Sequence, residues 1–164
     1  MTHTDQLILR KAQPSDCRFV WETNNHPSVR DQAIHTEEIR WKDHQSWFAK
    51  TLEDSNRLLL IVEYQDQRSG VLRFDIEPSV REATITIAIG PESRGVGLGK
   101  RAITQGSKHI LTRSNIERVI AYIRPDNEIS LHAFSKCGFQ KAGEEVISGM
   151  TLKRFELTGD VHVS

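Results

Sequence analysis

The sequence predicts a mixed α/β fold of the α+β type, because segments with strand periodicity and segments with helix periodicity follow one another along the chain. In one informative segment, isoleucines at 85, 87 and 89 alternate with smaller residues, and a glycine-rich turn then leads directly into a helical pattern. In a second segment, a strand pattern at 118–125 is followed by a turn and a short helix at 128–137. The predicted order of elements is β-α-α-β-β-β-α-β-α-β-β.

The part of the chain before residue 80 is predicted to contain three strands and two helices. The first helix ends before Pro27, because the residue before a proline avoids the α region. The second helix has a stripe at helical spacing made of Trp41, Gln45, Phe48 and Leu52. These elements are a strand at 7–11, a helix opened by 14–16, a helix at 38–52, and strands at 57–64 and 71–77 around a loop at 66–70.

The remainder is predicted to contain four strands and two helices. In the helix after the glycine-rich turn, Ile103, Gly106 and Ile110 share one side, and Gly138 ends the second helix. The elements are a strand at 83–90, a helix that runs to about 112, a strand at 118–125, a helix at 128–137, a strand edge after Phe139 and a last strand at 151–157.

Length and composition predict one domain that spans residues 1–164. The formal net charge of zero gives no overall positive field that would attract nucleic acid. The two cysteines, Cys17 and Cys137, lie in unrelated contexts, so we predict no disulfide and no metal site. The amino terminus lacks the apolar segment of a signal peptide, and the longest apolar run, at 58–62, is too short to cross a bilayer. We therefore predict a cytoplasmic domain with neither a nucleic-acid partner nor a membrane partner.

The glycines at 95, 97 and 99 predict a phosphate-binding turn. Glycine lets backbone N–H groups approach a ligand closely, and a helix N-terminus adds partial positive charge. P-loop spacing fails, because position 94 is arginine and Lys100 is followed by Arg101. Dinucleotide-binding spacing fails as well, because its third glycine would fall on Lys100.

The pattern Arg94-x-x-Gly97-x-Gly99 resembles the acetyl-CoA signature of the GNAT-type N-acetyltransferase superfamily. About thirty residues later, a run from Asn127 to Phe139 resembles the second signature of that family. The resemblance implies a GNAT fold, which is a mixed, mostly antiparallel sheet of about seven strands with helices on both faces. It also implies acetyl-CoA as a cosubstrate and no metal.

The resemblance implies a set of cofactor-binding residues. Backbone groups of Ile87, Ala88 and Ile89 would hydrogen-bond the pantetheine arm, and Gly90 and Pro91 would let the strand splay there. Asn127, Ser130 and Phe134 would line the cofactor channel. The loop that would grip the pyrophosphate consists of Arg94, Gly95, Val96, Gly97, Leu98, Gly99 and Lys100.

The chain departs from the family at the position of the general acid. Many members place a tyrosine four residues before the Gly-Phe pair, close to the sulfur of CoA, whereas this chain has Phe134 there. A phenyl ring cannot donate a proton, so we assign no acid. His44, Asp75 and Glu82 are the candidate bases.

The block from Glu37 to Phe48 and the segment from Trp21 to Arg30 resemble GNAT members that acetylate amino sugars linked to nucleotides, as in bacterial pseudaminic acid synthesis. This resemblance implies that Asn24, Arg30 and Trp47 bind the acceptor, with the indole as a platform and the guanidinium on a diphosphate.

We therefore expect an acetyl-CoA-dependent N-acetyltransferase in which a primary amine attacks the thioester directly in a ternary complex, with a homodimer as a possible assembly. Two alternatives stay open, a protein or peptide N-acetyltransferase and a non-catalytic acyl-CoA-binding domain.

Overall fold

A computed structural model describes residues 5–113 and 115–159, which contain one seven-stranded mixed sheet with the strand order β1-β2-β3-β4-β5-β7-β6. Every neighbouring pair of strands is antiparallel except β4 and β5, which are parallel. The strands are β1 (Leu7–Lys11), β2 (Arg57–Tyr64), β3 (Gln67–Glu77), β4 (Glu82–Ile89), β5 (Arg118–Ile123), β6 (Gln140–Ile147) and β7 (Met150–Thr158). The helices are α1 (Cys17–Asn25), α2 (Pro27–Arg30), α3 (Trp41–Glu53), α4 (Leu98–Arg113) and α5 (Glu128–Lys136).

Helices cover both faces of the sheet, as the predicted fold requires. The core between the sheet and α4 and α5 contains Leu72, Phe74, Ile103 and Phe134. A smaller core between the sheet and α1 and α3 contains Val20, Phe48, Ile61 and Val71. We call these two sides of the sheet the α4/α5 face and the α1/α3 face. Among the residues that the structure describes, no helix is long and apolar enough to cross a membrane.

The third helix begins later than the sequence predicts, at Trp41 instead of residue 38. The backbone of Ile39 is occupied by side chains of α1, because its N–H donates to Asn25 Oδ1 and its carbonyl accepts from Trp21 Nε1. The predicted stripe is also wrong at Gln45, which is exposed. The buried residues of α3 are His44, Phe48 and Thr51.

The loop predicted at 66–70 is a two-residue turn, Gln65–Asp66, and β3 already begins at Gln67. Both turn residues have positive φ, as tight hairpin turns require. The polar residues after the turn hid the strand, because polar residues are tolerated where a strand end is exposed. Within this strand, Gly70 allows close approach to β4, since a Cβ there would lie 2.7 Å from the Ala88 carbonyl oxygen.

The parallel strands β4 and β5 pair over only three residues, from Glu82 opposite Arg118 to Thr84 opposite Ile120. Beyond Thr84 the two strands diverge and leave a gap in the middle of the sheet. The expectation that Gly90 and Pro91 cause this splay is therefore wrong about its position, because the divergence begins six residues before Gly90.

Candidate active site

Six consecutive backbone N–H groups, from Gly95 to Lys100, donate no hydrogen bond to any residue that the structure describes. The next N–H along the chain, that of Arg101, donates to the Gly97 carbonyl at 3.2 Å. The N–H groups of a first helical turn lack intrahelical partners, and the helix dipole adds positive potential there. This turn can therefore accept the oxygens of a pyrophosphate.

The glycines of the turn serve two different needs. Gly95 and Gly97 have φ values of +88° and +76°, which favour glycine whatever space is present. Gly99 has no such φ, and a Cβ there would meet only the Ile89 side chain, at 3.9 Å. Nothing in the free protein thus demands glycine at 99, although a ligand lying against that backbone would.

Two cations flank the turn, and both are exposed. The guanidinium of Arg94 donates from Nε and Nη2 to the Ile89 carbonyl, at 3.1 and 2.9 Å, and so lies across the end of β4. Lys100 lies in the first turn of α4, where its ammonium adds to the positive end of the helix. Val96 and Leu98 complete the loop, the first exposed and the second buried beneath it.

The gap between β4 and β5 exposes selected backbone groups of β4. The Gly90 N–H donates to the Ser69 carbonyl at 2.9 Å, which fixes the alternation of the β3–β4 ladder. By that alternation, the N–H and carbonyl groups of Ile87 and Ile89 point toward the gap, whereas those of Ala88 point toward Val71 on β3. The prediction that Ala88 hydrogen-bonds a ligand is corrected, since its backbone groups face the neighbouring strand.

Asn127 caps α5, the helix that follows β5. Its Oδ1 accepts the Ser130 N–H at 3.2 Å, which orients the first turn of the helix. Phe134, at the position where many family members have a tyrosine, is 4% exposed and packs edge-to-face on Phe139 with ring centroids 5.0 Å apart. Phe134 therefore belongs to the core, and neither a proton nor a wide contact surface is available from it.

The structure corrects the prediction that His44 is a base. The side chain is 2% exposed, and Nε2 lies 2.8 Å from the Cys17 carbonyl oxygen, to which it can only donate. Trp41, Trp47 and Phe48 surround the ring, with centroids 5.7–5.9 Å away. Burial lowers the pKa of His44, so the imidazole is kept neutral in the core and does not reach the gap.

Glu82 and Asp75 are also held in ion pairs and are not poised as free bases. Glu82 Oε2 lies 3.3 Å from Arg118 Nε and 3.4 Å from Arg154 Nη2. It stands at the start of β4, about 23 Å along the strand from Ile89. Asp75 pairs with Arg73 at 3.1 Å and more loosely with Arg57 at 3.7 Å.

The predicted acceptor residues fall into two groups. Arg30 donates to the carbonyls of Asn24 and His35, at 2.8 and 2.7 Å, so its guanidinium ties the loop before α3 to α1 and is not presented to a diphosphate. Asn24 contributes its carbonyl to this contact. Trp47 does border the open α1/α3 face, where the Arg73 guanidinium stacks 5.4 Å from its ring centroid.

A polar network on the α1/α3 face was missed at the sequence level. Arg154 on β7 contacts the Tyr122 hydroxyl and Glu156, both at 2.9 Å, and Glu145 at 3.6 Å, in addition to Glu82. These residues are scattered over four strands, and strand pairing alone brings them together. Only the alternation of polar and apolar residues in β5 and β7 could have indicated that they share a face.

The described residues contain no cluster of three or more His, Cys, Asp or Glu side chains that could hold a metal ion. The features that can support a reaction are therefore the turn with unpartnered N–H groups, the gap in the sheet and the polar network around Arg154.

Comparison with known proteins connects these features to a chemistry. A family model described as an acetyltransferase (GNAT) domain matches residues 6–140. Spermidine N(1)-acetyltransferase of Escherichia coli (strain K12) is 26% identical over 145 residues, which cover 88% of this chain and 78% of that protein.

The solved structures that share the fold include the following two. Spermidine N-acetyltransferase from Vibrio cholerae in complex with CoA and spermine superposes with a TM-score of 0.87 at 22% identity, covering 98% of this chain and 100% of that one. A dodecameric structure of the Vibrio cholerae enzyme gives a TM-score of 0.80 at 22% identity, covering 98% of each chain. The names of these relatives mention polyamines, and none mentions a nucleotide-linked sugar.

Proposed function

This chain belongs to the GNAT acetyltransferase family and uses acetyl-CoA as its acyl donor, and from that premise we propose that its acceptor is a small cationic alkyl amine of the polyamine type. The amine attacks the thioester directly while both substrates are bound. The proposal replaces the nucleotide-linked amino sugar that the sequence resemblance suggested.

The donor site is carried by one observation, the six unpartnered N–H groups between Gly95 and Lys100. Arg94 and Lys100 supply full positive charges beside them, which suits a pyrophosphate. The groups of Ile87 and Ile89 that face the gap would extend the site toward the thioester, with Asn127 and Ser130 on the opposite wall.

The acceptor class follows from the charges on the α1/α3 face. Three carboxylates, those of Glu82, Glu145 and Glu156, surround Arg154, and Glu82 also contacts Arg118. Carboxylates beside an acceptor site attract a cationic amine and repel a diphosphate, so this cluster supports a cationic acceptor. The enzymes named in the comparisons as spermidine acetyltransferases agree with this choice.

A free-thiol assay with acetyl-CoA and a panel of amines tests the proposal. Spermidine and spermine represent the proposed class, a peptide with a free amino terminus represents a protein acceptor, and a nucleotide-linked amino sugar represents the earlier hypothesis. We expect CoA release with the polyamines. Release only with the peptide or only with the sugar nucleotide would overturn the acceptor class.

A non-catalytic acyl-CoA-binding domain is the second candidate, because Phe134 lies in the core at the position where many family members carry an acid. Calorimetry that detects acetyl-CoA binding, combined with no CoA release for any amine, would support it. We also propose that residues 1–164 form a single domain, that the protein is cytoplasmic and that it assembles as a homodimer.

A further inference from the structure

Tyr122 places a hydroxyl group at the mouth of the gap, on the α1/α3 face. The last parallel pair joins Thr84 to Ile120, so Tyr122 is two residues beyond it, where β5 has separated from β4. Continued pairing would have put Tyr122 opposite Thr86, which is instead exposed. The half-buried phenol thus borders the opening through which an acceptor reaches the gap.

The hydroxyl is oriented by its neighbours on β7 and β6. Tyr122 and Arg154 are directly opposite each other in the β5–β7 ladder, and Arg154 Nη1 donates to the phenol oxygen at 2.9 Å. Since a guanidinium cannot accept, the phenol proton must point elsewhere. The Glu145 carboxylate, 3.6 Å from the same Nη1, is the adjacent acceptor.

The charges around the phenol keep it protonated near neutral pH. Burial raises the pKa of Tyr122, the neighbouring Glu145 raises it further, and the charge of Arg154 opposes both. The charged groups beside this network are Arg154 and Glu156 on β7, Glu145 on β6, Glu82 on β4, Arg118 on β5, and Arg124 directly after β5.

We propose that the Tyr122 hydroxyl binds the acceptor amine and relays one of its protons to Glu145, an inference that rests on the amine acceptor proposed above. A phenol oxygen has two acceptor sites, and Arg154 uses one of them. The second site is free for an ammonium N–H, while the phenol proton is directed to the carboxylate.

The relay balances as follows. One ammonium proton passes to the phenol oxygen as the phenol proton passes to Glu145, which frees the nitrogen lone pair. The nitrogen forms a bond to the thioester carbon, and the C–S bond breaks with its electron pair on sulfur. Of the three original N–H protons, one ends on Glu145, one on the thiol and one on the amide product.

The test uses spermidine as the acceptor and the variant Tyr122→Phe, which removes only the hydroxyl. We expect kcat/KM for spermidine to fall about 100- to 10,000-fold, as for loss of an acid–base group, with the Kd for acetyl-CoA unchanged. Glu145→Gln, at a side chain that is 47% exposed, should have a similar effect without a folding defect. The double variant should be no worse than the poorer single one.

The pH profile distinguishes a relay from a structural role. In the wild type, kcat/KM should decline on the acid side, and both variants should lack that decline. Tyr64→Phe is the matched control, because Tyr64 is bonded to Asp5 on an exposed strand end. Full activity of Tyr122→Phe, or equal losses at every pH, would overturn the relay.

A second measurement tests the relay without any turnover. If no amine is turned over, the proposed function is refuted, and the NMR titration still tests the contact between Tyr122 and Glu145. The chain has two tyrosines, so Tyr64→Phe protein with carbon-13-labelled tyrosine reports Tyr122 alone by NMR. We expect its pKa to exceed the free value of about 10, and Glu145→Gln to lower it. An unchanged Tyr122 titration in Glu145→Gln would overturn the relay.

Discussion

At the scale of single residues, Gly99 separates ligand binding from folding. Its Cβ position is open except for Ile89, whereas a Cβ at Gly106 would clash with Leu72 and Phe74. We expect Gly99→Val to weaken acetyl-CoA binding at least about tenfold in calorimetry, because the valine side chain would occupy the space of the pyrophosphate, while helix propensity slightly favours valine over glycine.

Gly106→Ala is the control for that experiment, and it should lower the melting temperature through overpacking. Gly97→Val is less informative, because its φ of +76° adds backbone strain of about 1–3 kcal/mol. Undiminished acetyl-CoA binding by Gly99→Val would contradict the assignment of the loop.

His44 provides a pH-dependent prediction at the same scale. Its pKa is lowered by burial, so below the unfolded-state value of about 6.5 the unfolded chain binds a proton that the folded protein does not. The stability due to neutral His44 is therefore present above that pH and is lost as the pH falls. We expect urea unfolding between pH 8 and pH 5 to show this loss in the wild type and a smaller one in His44→Gln.

The same variant tests whether His44 takes part in the reaction. Because the imidazole is enclosed by Trp41, Trp47 and Phe48, we expect His44→Gln to retain turnover under conditions where it stays folded. Loss of turnover with unchanged stability would reinstate it as a base.

At the scale of elements, a buried carboxylate attaches α1 to the sheet. The Asp16 side chain, 2% exposed, accepts from Arg10 on β1 at 2.8 Å, from Arg68 on β3 at 3.3 Å and from the Gln13 N–H at 2.8 Å. These bonds, that of Arg10 foremost, lower the pKa of Asp16 to about 2. The ionised carboxylate thus stabilises the docking of the helix at neutral pH.

We expect Asp16→Asn to reduce the free energy of unfolding by roughly 2 kcal/mol at pH 7. Because the folded-state pKa is lowered, this contribution is present above about pH 4 and is lost as the pH falls toward 2. Urea unfolding at several pH values measures it, and Asp126→Asn, at an exposed ion pair, is the control with little effect. A difference that persists at pH 2 would contradict the electrostatic explanation.

Local patterns predicted elements and motifs better than they predicted contacts. Strands β1 and β2 have the predicted bounds, since alternation and flanking turns define them locally. The glycine-rich turn was predictable because its residues are consecutive. By contrast, the start of α3 depends on Asn25 and Trp21, and the Arg154 network depends on pairing among strands that are distant in sequence. Such contacts leave no local signal.

At the scale of the whole molecule, the short β4–β5 ladder predicts where ligand binding will be felt. The N–H of Ile87 faces the gap, whereas that of Ala88 faces Val71 on β3. We expect acetyl-CoA to slow hydrogen exchange at Ile87 while leaving the paired amides of Val71 and Ala88 unaffected, as measured by NMR. Equal exchange at Ile87 with and without the ligand would show that the donor does not enter the gap.

In the described residues, the two parts of the sheet, β1–β4 and β5–β7, are joined by three residue pairs, by the bonds that the Glu117 and Arg118 N–H groups donate to the Arg81 carbonyl, and by the ion pairs of Glu82 with Arg118 and Arg154. Helix α4 contacts β1, β3 and β4 in the first part of the sheet and β5 in the second, so it bridges the two parts. Helix α4 therefore has two roles, because its amino terminus binds the donor and its packing holds the two parts of the sheet together. Unfolding of α4 would therefore separate the two parts of the sheet and would also disrupt the donor-binding turn.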